Sequence, residues 1–146
     1  MRQGPSIKAA CVLSALGRSP NVDQLNLDKT GIQQKKNGAI IVDEFSQTNI
    51  DHIYAIGDVT DRINLTPVAI REGHAFADTE FGNNKRSASH KNIPSTVFTD
   101  PPLSTVGITS EEALKLGIKI KTFKTQFSPM KYTFVAKKPK ILMKLL

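Results

Sequence analysis

Short apolar runs, each bounded by turn-forming residues, mark the first part of the chain. The runs are Ile7–Leu16, Ala39–Val42 and Ile53–Ile56. Continuous apolar runs of this kind are typical of strands that are buried on both faces, as in parallel sheets. The second run follows Asn37-Gly38, a pair that predicts a type I′ hairpin turn with positive φ at both residues. We therefore predict buried strands at the first and third runs and a strand at the second, with a polar connector over residues 21–36 between the first two runs.

One long helix is predicted near the middle of the chain. Thr66 can cap its start, and Pro67 suits the first helical position because its fixed φ is already helical. Gly82 is a stop signal, so we expect the helix to end near Phe81. Residues at helical spacing predict one shared face on it: Ala69, Gly73, Phe76, Ala77 and Glu80.

The last part of the chain combines short strands with a short helix, after a polar, basic boundary at residues 83–91. Thr109 and Glu112 have the spacing of a capping box, and Gly117 is expected to end the helix that they open. Strands are predicted at Ile93–Thr99, Ile118–Phe123 and Ile141–Leu146. A strand at the last residues leaves an exposed edge, which favours the hypothesis that the chain is a piece of a longer protein.

Composition and charge narrow the range of partners. The 146 residues carry a formal net charge of +7, but the interleaved aromatic residues of single-strand binders are absent, so we expect no nucleic-acid partner. No apolar run approaches the roughly 20 residues that a membrane helix needs, so no membrane partner is expected either. The start lacks a secretory signal and Cys11 is the single cysteine, which together favour a cytoplasmic location. Because Cys11 lies in an apolar run, we predict a buried, inert thiol.

Four motifs follow one another along the sequence. They are ALGRSPN at residues 15–21, TNIDHIYAIGD at 48–58, LTPVA at 65–69 and FTDPPLSTVG at 98–107. In this order and at these intervals, the set resembles the flavin-dependent pyridine nucleotide–disulfide oxidoreductases, over nearly the whole chain from about Val12 onward. The segment QFSPMKYT at 126–133 is similar to the glutathione-reducing members. The four motifs also occur in lipoamide dehydrogenase, mercuric reductase and trypanothione reductase, which stay open as alternatives.

The resemblance implies an α/β fold that becomes α+β in the C-terminal part. It implies a partial FAD/NAD(P)-binding Rossmann-like domain joined to a truncated α+β dimerisation domain. The implied boundaries are residues 1–21 for the end of the NADPH-binding domain, 22–90 for the C-terminal part of the FAD-binding domain and 91–146 for the start of the dimerisation (interface) domain. FAD and NADPH are the implied cofactors, glutathione disulfide is the implied substrate, and a second copy of the chain is the implied partner in a homodimer.

Five residues resemble cofactor-binding positions of that family. Asp58 resembles the aspartate that hydrogen-bonds the ribityl chain of FAD, and Gly57 would let the backbone approach the ligand closely. Thr66 resembles the residue whose backbone lies at the pyrimidine edge of the flavin, where a helix N-terminus favours the negative charge of the reduced form. Gly17 and Thr96 resemble positions near the nicotinamide. Each has a structural alternative: a turn glycine, a helix cap or a strand residue.

His74 resembles a position that helps to hold the carboxylate of the substrate, although a lone histidine on a helix is more often structural. His52 and His90 are expected on the surface without partners. No catalytic residue and no metal site is expected. Family members carry a redox Cys-x4-Cys, Gly-rich cofactor loops and an active-site His-Pro segment, and the sequence contains none of them. We therefore expect an internal piece that is inactive alone; a non-catalytic remnant, or an interaction module that pairs with a full-length reductase, are the alternatives.

Overall fold

A computed structural model describes residues 7–146. Over that range the chain mixes helices, 3-10 turns and short strands. In chain order the elements are the 3-10 turns Asp23–Leu25, Leu27–Lys29 and Gly57–Thr60, helix α1 (Thr66–Phe81), strands β1 (Ser95–Val97) and β2 (Leu103–Thr105), helix α2 (Ser110–Lys115), strand β3 (Phe123–Phe127), the 3-10 turn Met130–Tyr132 and strand β4 (Ile141–Leu145). The chain divides into two compact units, the first ending at His90 and the second spanning Lys91–Leu146. Neither helix of the described range has the length and apolar content that crossing a bilayer would require.

The core of the first unit is built from turns and loops that precede α1, and it contains no continuous strand among the described residues. Its buried centre comprises Val22, Leu27, Ile32, Ile40 and Ala55. The predicted strands at 39–42 and 53–56 are wrong. They contribute single antiparallel bridges, Gln34 with Ile40 and Gln47 with Tyr54. Apolar composition buries such segments, but a strand forms only where a second segment pairs with it over several residues.

The predicted strand at Ile7–Leu16 is also wrong. No residue of this run is in a strand, and Leu16 is 96% exposed. Cys11 is exposed as well, which contradicts the prediction of a buried thiol. An apolar run is buried only if other elements cover it, and no described element covers this one. The first six residues of the predicted segment 1–21 lie outside the described residues.

The turn at Asn37-Gly38 exists, but it is not of type I′. Only Gly38 has a positive φ, of +86°; Asn37 is not among the residues with positive φ. The Gly38 N–H donates to the Lys35 carbonyl at 2.9 Å, and the Lys35 N–H donates to the Ala39 carbonyl at 2.7 Å. The Asn37 side-chain oxygen accepts from the Ala39 N–H at 3.2 Å. This side-chain bond supports a turn in which a single left-handed residue is enough.

Helix α1 has the predicted bounds, and Gly82 follows it as the C-cap. Its cap differs from the prediction, because Leu65 and not Thr66 is the N-cap residue, and no side chain caps the helix. Leu65 is extended, with φ −135° and ψ 130°, and its carbonyl accepts from the Val68 N–H at 2.9 Å and the Ala69 N–H at 3.1 Å. Thr66 is therefore the first helical residue.

The second unit contains two separate antiparallel pairs, β1 with β2 and β3 with β4. Helix α2 has the predicted capping box, in which Thr109 and Glu112 each satisfy the other's backbone N–H. Its C-terminus is closed by bonds from the Gly117 N–H to the Leu114 carbonyl and from the Ile118 N–H to the Ala113 carbonyl, the pattern of a Schellman motif. The predicted strand Ile118–Phe123 is wrong because Ile118 belongs to this closure. The strand begins instead at Phe123, which pairs with Leu145.

Candidate functional site

The centre of the candidate site is the Gly57–Thr60 turn, which packs directly on the first turns of α1. Gly57 is buried and has φ +71°. A Cβ atom on Gly57 would lie 3.0 Å from the Cβ atom of Ala69. The turn can therefore lie this close to the helix only because its first residue is a glycine.

A buried carboxylate ties the turn to the helix. Glu72, on α1, is 2% exposed. Its Oε2 accepts a hydrogen bond from the Gly57 N–H at 2.6 Å. Its Oε1 lies 2.9 Å from an Arg62 guanidinium nitrogen and 2.6 Å from His90 Nε2. The turn at residues 57–60, the loop after it and the last residue of the first unit thus converge on one carboxylate, and each supplies a donor.

Arg62 and Thr60 extend this network to neighbouring loops. The Arg62 guanidinium also donates to the hydroxyls of Thr60 at 3.2 Å and Ser46 at 3.0 Å. The Thr60 hydroxyl, which is 1% exposed, donates to the Gly57 carbonyl at 2.8 Å. Both backbone polar groups of Gly57 are therefore bonded to buried side chains, and the orientation of the turn is fixed from two sides.

Two opposing effects set the pKa of Glu72. Burial by itself would raise this pKa, because low-dielectric surroundings disfavour the charged form. The hydrogen bonds from Gly57 and His90, together with the positive charge of Arg62, outweigh burial and lower the pKa below its ordinary value. Glu72 is therefore an ionised, fully bonded carboxylate at neutral pH.

Asp58 follows this fixed glycine and is itself exposed. Its carboxylate makes no hydrogen bond to another described residue, so it is an acceptor left available to a ligand. It lines a pocket of about 190 Å³ together with Arg18, Ser19, Pro20, Asn21, Val59, Asp61 and Asn64. The Asp61 carboxylate is engaged within the protein, by the amides of Asn37 at 2.6 Å and Asn64 at 3.2 Å. The pocket thus combines one open carboxylate with amide and guanidinium donors.

Thr66 lies at the N-terminus of α1, six residues before Glu72. Pro67 has no N–H, and the N–H groups of Val68 and Ala69 already donate to the Leu65 carbonyl. Of the first four helical residues, only Thr66 retains an N–H without a partner among the described residues. The positive end of the helix dipole therefore offers a single donor.

The remaining predicted residues lie in three places. Gly17 has φ +107° with open space around it, and Arg18 next to it lines the Asp58 pocket. His74 is exposed on α1 and borders a second pocket of about 190 Å³, which Arg71 and Arg86 also line. Thr96 lies in β1 of the second unit, where its hydroxyl is 3.0 Å from that of Ser104.

The Glu72 network was not predicted. The buried residues of α1 are Val68, Glu72 and Ala75. None of them belongs to the shared face that was predicted, on which Gly73 and Phe76 are half-buried. The spacing of Glu72 four residues after Val68 was the available signal, because it places a carboxylate on an apolar face. His90 was wrongly predicted to have no partner. No group of metal-binding side chains occurs within residues 7–146.

Comparison with known proteins identifies the fold and then the family. The sequence model of the family described as "Pyridine nucleotide-disulphide oxidoreductase" matches residues 1–73. A second family model, for the dimerisation domain of the same proteins, matches residues 93–146. With the mixed helix and strand content, these matches define part of a Rossmann-like nucleotide-binding domain joined to a dimerisation domain. The chain belongs to the pyridine nucleotide-disulphide oxidoreductase family.

Several relatives cover nearly all of the chain. It is 50% identical to a glutathione reductase of Nostoc sp. over 151 aligned positions. This alignment covers 95% of this chain and 33% of the Nostoc protein. It is 44% identical to a trypanothione reductase of Trypanosoma congolense, over 94% of this chain and 28% of that protein. The HOCl-induced flavoprotein disulfide reductase RclA from Escherichia coli superposes with a TM-score of 0.75 at 30% identity, over 90% of this chain and 31% of that chain. The chain thus spans a third or less of the length of these proteins.

Proposed function

We propose that this chain supplies the flavin-binding turn and the start of the dimerisation domain of an NADPH-dependent, FAD-containing reductase of glutathione disulfide. The observation that carries the proposal is the Gly57–Asp58 turn. Its glycine is fixed on α1 and its aspartate carboxylate is open to a ligand. The 50% identity to a glutathione reductase and the segment at 126–133 favour glutathione disulfide as the substrate.

The residues around Asp58 fit the ribityl part of FAD. A polyol both donates and accepts hydrogen bonds, and the pocket provides a carboxylate acceptor beside amide and guanidinium donors. A pocket of about 190 Å³ suits one part of a large cofactor, since pockets for whole drug-sized ligands measure about 300–1,000 Å³. The Thr66 N–H, at the positive end of α1, suits the pyrimidine edge of the flavin. When bound, FAD would supply the redox chemistry: hydride transfer from NADPH and electron transfer to the disulfide, through a cysteine pair that this chain does not contain.

The other assignments follow from the same proposal. Gly17 and Thr96 would lie near the nicotinamide of NADPH, and His74 would help to hold a substrate carboxylate. Arg71, which shares a pocket with His74, adds a positive charge that suits an anion, whereas Arg86 in the same pocket is paired with Asp78 at 2.8 Å. Residues 1–21, 22–90 and 91–146 would belong to the NADPH-binding, FAD-binding and dimerisation domains. A homodimer and a cytoplasmic location are part of the proposal.

Flavin affinity tests the central assignment. The full chain is titrated with FAD, and binding is followed by flavin fluorescence. Asp58→Asn should weaken binding by about tenfold or more, because hydrogen bonds to charged groups are worth about 1.5–3 kcal/mol. Asp28→Asn removes another exposed carboxylate of the same unit, away from the pocket, and should bind FAD like the parent. Equal affinities for the two variants, or a folded parent without FAD affinity, would contradict the assignment.

Turnover tests the proposed dependence on other segments. Because Cys11 is the single cysteine, no redox pair can form within one chain. The purified chain with FAD, NADPH and glutathione disulfide should oxidise no more NADPH than a blank without protein. Measurable turnover would overturn this part of the proposal.

Trypanothione disulfide is the second candidate substrate, favoured by the 44% identity to a trypanothione reductase. Saturation-transfer NMR on the chain distinguishes the two substrates through the His74 pocket. Glutathione disulfide should show contacts that trypanothione disulfide lacks, and the reverse result would favour the second candidate. A non-catalytic interaction module is the remaining alternative, and co-purification of the chain with a longer flavoprotein would favour it.

A further inference from the structure

The Glu72 carboxylate has more bonding partners than the packing of α1 requires. It accepts from the Gly57 backbone, from Arg62 and from His90, at distances between 2.6 and 2.9 Å. No buried side-chain polar atom of the described residues lacks a hydrogen bond, so this network is complete. It unites the Gly57–Thr60 turn, the helix and the last residue of the first unit.

Stability alone is a poor explanation for this arrangement. Removing a carboxylate and a guanidinium from water costs much of what their attraction returns, and an apolar residue of similar size often stabilises a helix face equally well. A charged acceptor differs from an apolar side chain in being directional. The Glu72 carboxylate fixes the N–H of Gly57. Gly57 is the residue of the turn whose backbone conformation is least restricted by its own side chain.

The position of Asp58 follows from that bond. The Gly57 N–H lies in the peptide plane before Gly57, and the Gly57 carbonyl lies in the plane that leads to Asp58, so both planes must be held to set the place of Asp58. The Gly57 carbonyl is held as well, by the Thr60 hydroxyl, which in turn accepts from Arg62. Arg62 therefore acts on both ends of Gly57, on one side through Glu72 and on the other through Thr60.

We propose that Glu72 is a positioning residue for the flavin site: its carboxylate fixes the Gly57 N–H and thereby sets the place of the Asp58 carboxylate, while Arg62 and His90 hold Glu72 itself. This inference rests on the proposed role of Asp58 in FAD binding. His90 connects the site to the segment that leads out of the first unit, so a change at the last residue of that unit should reach the flavin turn.

Backbone NMR of the ligand-free chain tests the positioning directly. In Glu72→Gln the amide nitrogen replaces either Oε2, which accepts from Gly57, or Oε1, which Arg62 and His90 share. If the amide oxygen faces Gly57 instead, it is a neutral and weaker acceptor than a carboxylate. The hydrogen bond to Gly57 should therefore weaken, with an upfield shift of the Gly57 amide proton and faster exchange by about tenfold or more. Glu80→Gln changes an exposed carboxylate on the same helix and should leave the Gly57 amide unchanged. An unchanged Gly57 amide in folded Glu72→Gln would overturn the inference.

FAD affinity, compared between the parent and the Asp58→Asn background, distinguishes positioning of Asp58 from a purely structural role of Glu72. Glu72→Gln should weaken FAD binding by about tenfold in the parent and by less than about twofold in the Asp58→Asn background, since residues that act through one another are not additive. Equal losses in both backgrounds would refute action through Asp58. If Asp58→Asn itself has no effect on FAD affinity, the proposed function fails, and the Gly57 amide still decides whether Glu72 positions the turn.

A milder variant covers the case in which Glu72→Gln does not fold. His90→Leu removes one of the three donors and leaves the bonds from Gly57 and Arg62 in place. It should shift the Gly57 amide in the same direction, and weaken FAD binding by about threefold, about one hydrogen bond's net contribution. His52→Leu, at an exposed histidine of the same unit, is the matched control. Identical Gly57 amide shifts in the two histidine variants would contradict the inference.

Discussion

Gly57→Ala should destabilise the first unit by more than the same change at any comparable turn glycine. Gly57 has a φ of +71°, and a Cβ atom there would stand 3.0 Å from the Cβ atom of Ala69, a second backbone-anchored atom. Neither atom can rotate away, because a Cβ position is fixed by its backbone. Either the turn or the helix must therefore move.

The magnitude has three parts. An L-residue in the left-handed region costs about 1–2 kcal/mol, and overpacking at a tight contact costs about 1–3 kcal/mol. Alanine also has less conformational freedom than glycine in the unfolded chain, which offsets about 0.4–1 kcal/mol of this destabilisation. The expected net loss is about 3 kcal/mol. Gly31→Ala is the matched control, with a φ of +74° and open space around the added Cβ, and should cost only about 1 kcal/mol.

Native-state hydrogen exchange on the α1 amides is the suitable assay, because it reports the first unit separately from the second. The two variants should differ by about 2 kcal/mol in the free energy of unfolding. Adding Ala69→Gly to Gly57→Ala should recover part of the loss, although glycine in a helix costs about 1 kcal/mol by itself. If Gly57→Ala is no more destabilising than Gly31→Ala, the close packing of turn and helix is refuted.

Three further predictions concern acid, a helix cap and a thiol. Because the pKa of Glu72 is lower in the folded chain than its ordinary value of 4.5, its contribution to stability is fully present above that value. This contribution should be lost as the pH falls through the folded pKa. Hydrogen exchange of the α1 amides should therefore show a smaller loss of stability in acid for Glu72→Gln than for the parent, whereas Glu112→Gln should behave like the parent. Thr109→Ala removes the hydroxyl that accepts from the Glu112 N–H at 3.2 Å and should destabilise α2 by about 1 kcal/mol. If circular dichroism shows the same helix content and the same unfolding transition for the variant and the parent, this prediction is wrong. Cys11, being exposed, should react with a chromogenic disulfide reagent as fast in buffer as in denaturant, and protection in buffer would show that the thiol is covered.

The features that the sequence predicted correctly are those closed by short-range interactions. The bounds of α1 follow from Pro67 near its start and Gly82 at its end. The capping box of α2 is complete within four residues, because Thr109 and Glu112 satisfy each other's backbone. The order and spacing of the motifs identified the family, since matching a motif needs no knowledge of what its residues contact.

The candidate site was predictable only in part. Asp58 and Gly57 were singled out because a glycine and an aspartate follow an apolar run. Glu72, Arg62 and His90 were missed, because no local pattern announces which distant donors a carboxylate will meet. The assignments of cofactor and substrate to these residues stay predictions.

The apolar runs show what the tertiary structure alone decided. Ile7–Leu16 and Ile53–Ile56 are both largely apolar, yet the first is exposed and the second packs partly against the core of the first unit. The sequence by itself determined where apolar surface, helix ends and turns lie along the chain. Tertiary contacts determined which apolar surface is covered, which run pairs as a strand and which carboxylate is buried. The reason is physical: caps and turns are satisfied by neighbours in sequence, whereas burial, strand pairing and the neutralisation of a buried charge need partners from distant segments.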